Sequence, residues 1–138
     1  KKLEDIAAMP LAAGENMMAS DEFEKAINRR ILSVIQPDLA KWGGFTQCLP
    51  IAKKIIASGL RYCPHYLGGG IGLLASAHAL AAAGGDGVLE IDINENPLRT
   101  DLIGSLLNDR NGTAILGHEP GLGFSPNLGK IEKYRVTH

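Results

Sequence analysis

The fold of this chain is predicted by one stretch, Ile35-Gln36-Pro37-Asp38-Leu39-Ala40-Lys41-Trp42-Gly43-Gly44. It begins with the end of an apolar strand, passes through an acidic residue and closes with two glycines that turn the chain into a helix. A strand, a polar residue and a helix in that order are typical of one βα unit. The stretch therefore predicts that Asp38 lies at the carboxyl end of a buried strand.

Three further polar residues, Glu15, His65 and Glu90, also follow short apolar runs. The four residues recur with a period of about 25 residues, which suits one strand and one helix. Because the carboxyl ends of parallel strands meet on one face of a sheet or barrel, four such residues would surround one pocket. A single acid after a strand is usually a solvated loop residue, but four in register favour a site.

The apolar runs and glycines predict alternating strands and helices. Ser20 is expected to cap the first helix, Pro50 to lie in the first turn of the second, and Gly59 to end it. Gly84 should end the third helix. The predicted strands cover residues 10–13, 31–36, 60–63 and 88–93.

Composition indicates an ordinary globular domain. The 138 residues are 45% hydrophobic and 21% charged, with a formal net charge of −1 and no long basic run, which argues against nucleic-acid and membrane partners. Cys48 and Cys63 lack the spacing of a metal pair and indicate a reducing, cytoplasmic setting. No apolar run is long enough to cross a bilayer. Leu3, Ile6 and Ala7 have helical spacing and predict the end of a helix.

The pattern changes after Asn94, where Gly, Pro and Asn punctuate the sequence. Residues 113–116 predict a small strand, and residues 128–134 predict a terminal helix or an extended tail. This region therefore looks different from the repeated units before it.

With these motifs the chain resembles the mandelate racemase-like group of the enolase superfamily. The stretches that carry the resemblance are residues 10–16, 36–44, 64–65 and 89–92. The resemblance implies a (β/α)8 barrel in which Glu15 is a carboxylate ligand of Mg²⁺. It also implies that Asp38 and His65 form a dyad, and that Glu90 donates a hydrogen bond to the substrate carboxylate.

That assignment agrees with the chemistry. Removal of a proton next to a carboxylate requires a base and stabilisation of the enediolate, and superfamily sites use a Lys or His base with Mg²⁺. His65 would be the base, and Asp38 would hold its ring in one tautomer. Lys41, three residues after Asp38, is interpreted as a solvated or supporting lysine. Mg²⁺ needs several oxygen ligands, so the others are expected outside this chain.

The resemblance also implies a fragment. Residues 1–96 correspond to the C-terminal half of the barrel, roughly its last four βα units, and residues 97–138 to a C-terminal segment that packs on the barrel or capping region. Half a barrel exposes strand edges and apolar inner faces. We therefore expect the chain to need a complementary half, from a missing polypeptide or a second copy, and to be inactive alone.

The predicted activity is that of an acid-sugar dehydratase or a racemase acting on a small carboxylate or acid-sugar substrate. Both reactions begin with the same proton abstraction, so Asp38 and His65 do not distinguish them. A dehydratase is favoured because racemisation needs a second base on the opposite face, and this chain offers no candidate.

Two alternatives remain. Gly70-Ile71-Gly72-Leu73-Leu74-Ala75 fits the Gly-x-Gly-x-x-Ala pattern of dinucleotide-binding modules. That signal is weak because residues 64–69 separate the glycines from the preceding strand, whereas in the true motif they follow it directly. The other alternative is a non-catalytic structural fragment that has kept the fold.

Overall fold

The computed structural model describes residues 6–104 and 111–136, and its centre is a parallel sheet. The strands lie in chain order, with Ile35 beside both Ala13 and Tyr62. The strands are β1 Ala12–Ala13, β2 Val34–Ile35 and β3 Arg61–Tyr62. Parallel neighbours joined by helices confirm the predicted α/β class and its repeated units.

One helix follows each of the three strands, and two shorter helices belong to the C-terminal part. Their bounds are α1 Ser20–Arg29, α2 Gly44–Ala57, α3 Gly70–Ala83, α4 Pro97–Ile103 and α5 Leu128–Ile131, and a 3-10 helix follows at Glu132–Tyr134. The helix predicted for residues 128–134 is therefore present.

The core lies between the sheet and helices α1 and α2. Ile35 and Tyr62 occupy neighbouring register positions and so share one face of the sheet. Phe23 of α1 and Ile55 of α2 pack in the same cluster, and all four are at most 1% exposed. Burial of these side chains holds the strand ends in place.

For α2, the structure confirms the predicted C-terminal end and contradicts the predicted position of its proline. Gly59 adopts the left-handed conformation, with φ of 74°, and its N–H and that of Leu60 donate to the last turn of α2, as predicted. Pro50 was expected in the first turn, but α2 begins at Gly44, so Pro50 lies in its interior. Pro50 and Thr46, whose carbonyl loses a donor, are both exposed, so water can replace that hydrogen bond.

The start of α1 is also shifted. Ala19 is the N-cap residue, and Ser20, predicted to be the cap, is the first helical residue and makes no capping hydrogen bond. Glu22 satisfies a free donor there instead, because its Oε2 accepts from the N–H of Met18 at 2.7 Å.

The fourth predicted strand is wrong. Residues 88–93 form no strand, and the N–H of Val88 donates to Cys63 Sγ at 3.4 Å instead of to a backbone carbonyl. The preceding Gly87 lies against β3, where an added Cβ would be 1.8 Å from the Tyr62 carbonyl oxygen. The segment follows β3 without backbone pairing, and pairing is what defines a strand.

The small strand predicted at residues 113–116 is also wrong. Residues 113–118 have no regular structure, and an isolated antiparallel bridge joins Glu119 to Gly123. A composition suited to a strand does not by itself produce one.

The C-terminal part is attached to α3 and α4. His78 of α3 contacts the Leu122 carbonyl oxygen through Nε2 at 3.0 Å, and the N–H of Asn127 donates to the Leu102 carbonyl at 3.2 Å. The predicted division at residue 96 stays a prediction.

At the N-terminus, Leu3 lies outside the described residues, and Ile6 and Ala7 are not helical. In residues 6–104 and 111–136 no helix combines the length and apolar character that crossing a membrane would require.

Candidate active site

A buried histidine and aspartate meet just beyond the ends of β2 and β3. His65 Nδ1 lies 2.9 Å from Asp38 Oδ2, and the two residues are 5% and 4% exposed. The N–H of His65 donates to the Pro37 carbonyl at 3.2 Å, which extends the pairing of the two strands past their last residues. The pair is therefore held by the backbone as well as by its own contact.

Backbone hydrogen bonds orient the Asp38 carboxylate. Its Oδ1 accepts from the N–H of Ala40 at 2.9 Å and from the N–H of Lys41 at 3.2 Å. An aspartate that bonds the backbone two and three residues ahead closes a local turn. One carboxylate oxygen is thus fixed by the turn, and the other is left facing His65.

Glu15 reaches the same histidine from β1. Gly14 allows the end of β1 to lie close to β2, because a Cβ added at this position would be 2.8 Å from Gln36 N. The φ of Gly14, 139°, also disfavours any other residue. The Glu15 side chain is 49% exposed, and its Oε2 lies 2.9 Å from His65 Nε2. The structure therefore brings three of the four predicted residues together.

His65 consequently lies between two carboxylates. Ionised carboxylates only accept hydrogen bonds, so the imidazolium form of His65 can donate to Asp38 and Glu15 at once. A neutral ring that donates through Nδ1 to Asp38 leaves Nε2 as an acceptor. Since Glu15 is half-exposed, it can move away from Nε2 more easily than Asp38 can leave Nδ1.

Cys48 lies behind this site in α2. It is fully buried, and its thiol donates to the Trp42 carbonyl oxygen at 3.1 Å. Burial, helped by the negative charge of Asp38, raises the pKa of the Cys48 thiol to about 11. Cys48 is therefore a neutral packing residue at ordinary pH.

Glu90 is not part of this cluster. It lies on the unpaired segment, and its Oε2 is buried without a hydrogen-bond partner. Among the described residues, none of the hydrogen bonds or ion pairs joins Glu90 to Glu15, Asp38 or His65. A buried carboxylate oxygen without a partner is uncommon and marks a place where a donor is needed.

Sequence reasoning missed Asn16. Its Nδ2 donates to Glu15 Oε1 at 3.3 Å, and its Oδ1 accepts from Lys41 Nζ at 3.4 Å. The available signal was an amide directly after Glu15, with Lys41 three residues after Asp38 on the neighbouring loop.

In the described part of the chain, the oxygen donors near His65 are too few for a complete magnesium site. Mg²⁺ prefers octahedral coordination by oxygen atoms. Across residues 6–104 and 111–136, no three or more His, Cys, Asp or Glu side chains form a group that could hold a metal ion. The described residues offer the exposed carboxylate of Glu15 and do not make a complete magnesium site.

The glycines of the dinucleotide-like pattern have a packing role. Gly70 and Gly72 both lie inside α3. An added Cβ at Gly70 would lie 2.6 Å from the Ile103 side chain, and one at Gly72 would overlap the Tyr66 ring. Side chains therefore cover this helix end, and close packing explains both glycines.

Comparison with known proteins agrees with the motifs. Residues 1–130 match the family model described as "Enolase C-terminal domain-like". Arabinonate dehydratase of Saccharolobus solfataricus is 27% identical over 97% of this chain and 36% of that protein. D-galactarolactone cycloisomerase of Agrobacterium fabrum is 29% identical over 93% of this chain and 36% of that protein.

A solved structure is more similar still. A mandelate racemase/muconate lactonizing enzyme from Bordetella bronchiseptica RB50 is 52% identical, with a TM-score of 0.88 over 95% of this chain and 37% of that chain. These matches confirm the predicted resemblance and the barrel-type fold. The chain spans about a third of the length of the curated relatives that it matches.

Proposed function

This chain belongs to the enolase C-terminal domain-like family, and from that premise we propose that it supplies the base of an enzyme that removes a proton next to a carboxylate. The observation that carries the proposal is the buried contact of 2.9 Å between His65 Nδ1 and Asp38 Oδ2. A histidine oriented by a buried carboxylate is suited to general-base catalysis near neutral pH.

The roles of the pair follow from its hydrogen bonds. Neutral His65 donates through Nδ1 to Asp38, and the electron pair on Nε2 accepts the proton from the substrate carbon. The imidazolium that forms is stabilised by the Asp38 charge, while the electrons of the broken C–H bond enter the enediolate. Glu15 moves away from Nε2 before the substrate carbon approaches it.

Glu90 is proposed to bind the substrate. As a hydrogen-bond donor to the substrate carboxylate it would stabilise the negative charge that develops in the enediolate. The buried, unpartnered Oε2 of Glu90 supports this role, because a ligand would give that atom the partner it lacks.

The proposed substrates are acid sugars, and dehydration is the favoured outcome. Arabinonate dehydratase and D-galactonate dehydratase are among the relatives, which supports a lyase, and D-galactarolactone cycloisomerase supports an isomerase as the second candidate. In a dehydration, the electrons of the enediolate form a double bond to the next carbon, and the hydroxyl group on that carbon leaves as water with the proton that the imidazolium of His65 returns. One base, His65, is sufficient for that reaction.

We also propose that the site is completed outside this chain. Glu15 would be one ligand of Mg²⁺, and the remaining ligands would come from a preceding part of a longer polypeptide or from a second copy. The incomplete ligand set and the one-third coverage of the relatives support this, and the isolated chain is expected to be inactive. Two free, buried cysteines support a cytoplasmic location.

A chimera tests the proposal. The matching 37% of the Bordetella protein is replaced by this chain, and exchange of the α-proton of arabinonate and galactonate with D₂O is followed by ¹H NMR with added Mg²⁺. The His65→Asn variant should lose roughly 10²- to 10⁴-fold of the exchange rate. The exposed His118→Asn variant is the matched control and should keep it. Equal exchange by a folded His65→Asn chimera would refute the proposal.

A further inference from the structure

Arg99 of α4 is a buried cation that the proposed reaction does not use. The residue is only 8% exposed. Its Nη2 donates to the Asn94 carbonyl oxygen, and its Nη1 lies 3.7 Å from Asp92 Oδ2. Burying a charge costs free energy unless the charge is paired and hydrogen-bonded. The guanidinium is therefore held to Asp92 and Asn94, and those two residues are held to it.

The residues around Arg99 form a loop that is closed by its own hydrogen bonds. Asp92 Oδ1 accepts from the N–H of Asn94 at 2.9 Å and from Nδ2 of Asn94 at 2.8 Å, and the N–H of Arg99 donates to the Asn96 carbonyl at 2.9 Å. The hydrogen bond from the Asn94 N–H, aided by the charge of Arg99, holds the pKa of the Asp92 carboxyl below its usual value. Asp92 is therefore ionised near neutral pH, as an ion pair with Arg99 requires.

Helix α4 connects this loop to α3. A Cβ added at Gly70 would lie 2.6 Å from the Ile103 side chain, and one added at Gly69 would lie 3.5 Å from the Leu98 carbonyl oxygen. The beginning of α3 is thus in direct contact with α4 on both sides of Arg99. The position of the guanidinium is fixed by the packing of two helices.

Glu90 lies midway between two attachments of its segment. Two residues before it, the N–H of Val88 donates to Cys63 Sγ at 3.4 Å, and two residues after it, Asp92 meets Arg99. Sulfur is a weak acceptor, whereas contacts between charged groups are stronger, so Arg99 provides the firmer attachment. Both attachments are made by this chain itself, and neither includes a residue that contacts His65.

We propose that Arg99 is a positioning residue, which holds the loop after Glu90 and so determines where the Glu90 carboxyl group meets the substrate carboxylate. The proposal rests on the proposed function, in which Glu90 donates to the substrate. Without the guanidinium, the segment is released on one side of Glu90. The donor is then no longer held where the charge of the enediolate develops.

Arg61 provides the matched control. Its Nη2 lies 2.6 Å from Oδ2 of Asp86, four residues before Glu90, but the two side chains are 49% and 73% exposed. Arg61→Met therefore removes an arginine charge and a pair with an aspartate near the same segment, without touching the loop of residues 92–96. Arg99→Met removes the buried guanidinium and both of its contacts.

The experiment is NMR of the ¹³C,¹⁵N-labelled 138-residue chain, read at the backbone amide and the carboxyl carbon of Glu90. In Arg99→Met the amide should exchange faster with D₂O, and the carboxyl signal should shift because the buried Oε2 becomes solvated. Arg61→Met should leave both signals unchanged. Unchanged Glu90 signals in a folded Arg99→Met chain, or equal changes in Arg61→Met, would overturn the proposal.

A second variant keeps the test decisive if Arg99→Met fails to fold. Asp92→Asn has nearly the same shape and keeps an oxygen that can accept from the N–H of Asn94, so the loop should still form. The variant removes the negative charge that faces Arg99. The Glu90 carboxyl signal should then shift in the same direction as in Arg99→Met, and its constancy would refute the proposal.

Turnover distinguishes positioning from a purely structural role. In the chimera, Arg99→Met should lower kcat for α-proton exchange roughly 10-fold. In the Glu90→Gln background the same change should have no further effect, because the group that Arg99 positions is already altered. An equal loss of kcat in both backgrounds would show that Arg99 acts only on the fold, and would refute the proposal.

The two proposals can fail separately. If no chimera exchanges the proton, the proposed function fails, while the NMR signals of the 138-residue chain still decide whether Arg99 holds the segment that carries Glu90. If exchange occurs and Arg99→Met leaves kcat unchanged, the positioning role fails alone.

Discussion

The carboxyl ends of β1 to β3 and the segment of residues 87–96 differ in how their backbones are held. At the strand ends, backbone hydrogen bonds continue across neighbours: the N–H of Gln36 donates to Ala13 and the N–H of His65 to Pro37. In the segment, the N–H of Val88 instead donates to the sulfur of Cys63, one residue beyond β3. Three site residues contact one another where the backbone is paired, whereas Glu90, on the unpaired segment, forms no hydrogen bond or ion pair with them in the described part of the chain.

Residues with β character do not by themselves bring a side chain into the site. Val88 and Ile93 are typical strand residues, yet they are 64% and 96% exposed. Such exposed apolar residues are where the complementary half that we propose would pack. Pairing, and not composition, decides which predicted site residues meet.

The largest expected effect is on kcat, when one carboxylate of each region is replaced by the corresponding amide. In the chimera, Asp38→Asn should cost roughly 10²- to 10⁴-fold in kcat, because the ring of His65 loses the acceptor at Nδ1. Glu90→Gln keeps a donor and should cost less, about 10²-fold at most. Steady-state kinetics of α-proton exchange measures both. A larger loss in Glu90→Gln would reverse the comparison of the two regions.

The next largest effect is on stability, when a closely packed glycine of either region is replaced by alanine. Gly14→Ala places a Cβ against Gln36 in the paired region and should lower the free energy of unfolding by roughly 2–3 kcal/mol, measured by urea denaturation. Gly87→Ala places one against Tyr62 and should release the unpaired segment locally. Cys63 should then be alkylated faster, while Cys48 in the core keeps its slow rate.

Equal global destabilisation by the two alanine variants would show that the segment is as firmly integrated as the strands. Gly44→Ala is the control for conformation, because its φ is also positive, at 54°, but nothing lies within 4 Å of the added Cβ. It should cost only about 1 kcal/mol, the strain of the left-handed backbone.

The smallest effect concerns the exposed ion pair that links β3 to the residue before Gly87. Arg61 Nη2 lies 2.6 Å from Asp86 Oδ2, and the hydrogen bond from Arg61 lowers the pKa of the Asp86 carboxyl. Because the pKa of Asp86 is lower in the folded state, the ion pair stabilises the fold at pH values above the unfolded-state pKa. That contribution is lost as the pH falls through the folded-state pKa. Asp86→Asn should remove this small acid-dependent part of the stability in urea melts at low salt. An identical pH dependence in both proteins would show that the pair contributes nothing.

Local sequence signals were sufficient for most of the fold. Apolar runs ended by Gly14, Pro37 and Pro64 located β1 to β3 and the helices between them. Gly59 ends α2 as expected, because it adopts the left-handed conformation that closes that turn. The same period placed Glu15, Asp38 and His65 at one edge, since parallel neighbours align their ends.

The errors arose where tertiary context decides. Strand composition at residues 88–93 could not reveal the missing backbone pairing, and the composition of residues 113–116 could not reveal that they form no strand. Pro50 was misplaced because solvent exposure, which the sequence does not show, makes an interior proline tolerable. Helix α4 was missed although Asn96 and Pro97 form an ordinary helix start.

The finer geometry of the site was beyond sequence reasoning. The contact between Glu15 and His65 depends on the spacing that Gly14 allows between β1 and β2. The bridging role of Asn16 depends in turn on how far Lys41 reaches across the loops. Such distances are set by packing, and the period of the motifs carries no information about them.

The link between Asp38 and His65 has a consequence for the order of folding. The two residues are 27 positions apart, and the intervening chain contains one helix, α2, and one strand, β3. Contacts of such short sequence separation form early, because little loop entropy is lost in closing them. During synthesis the pair can assemble once His65 has emerged, before the residues that follow it have done so.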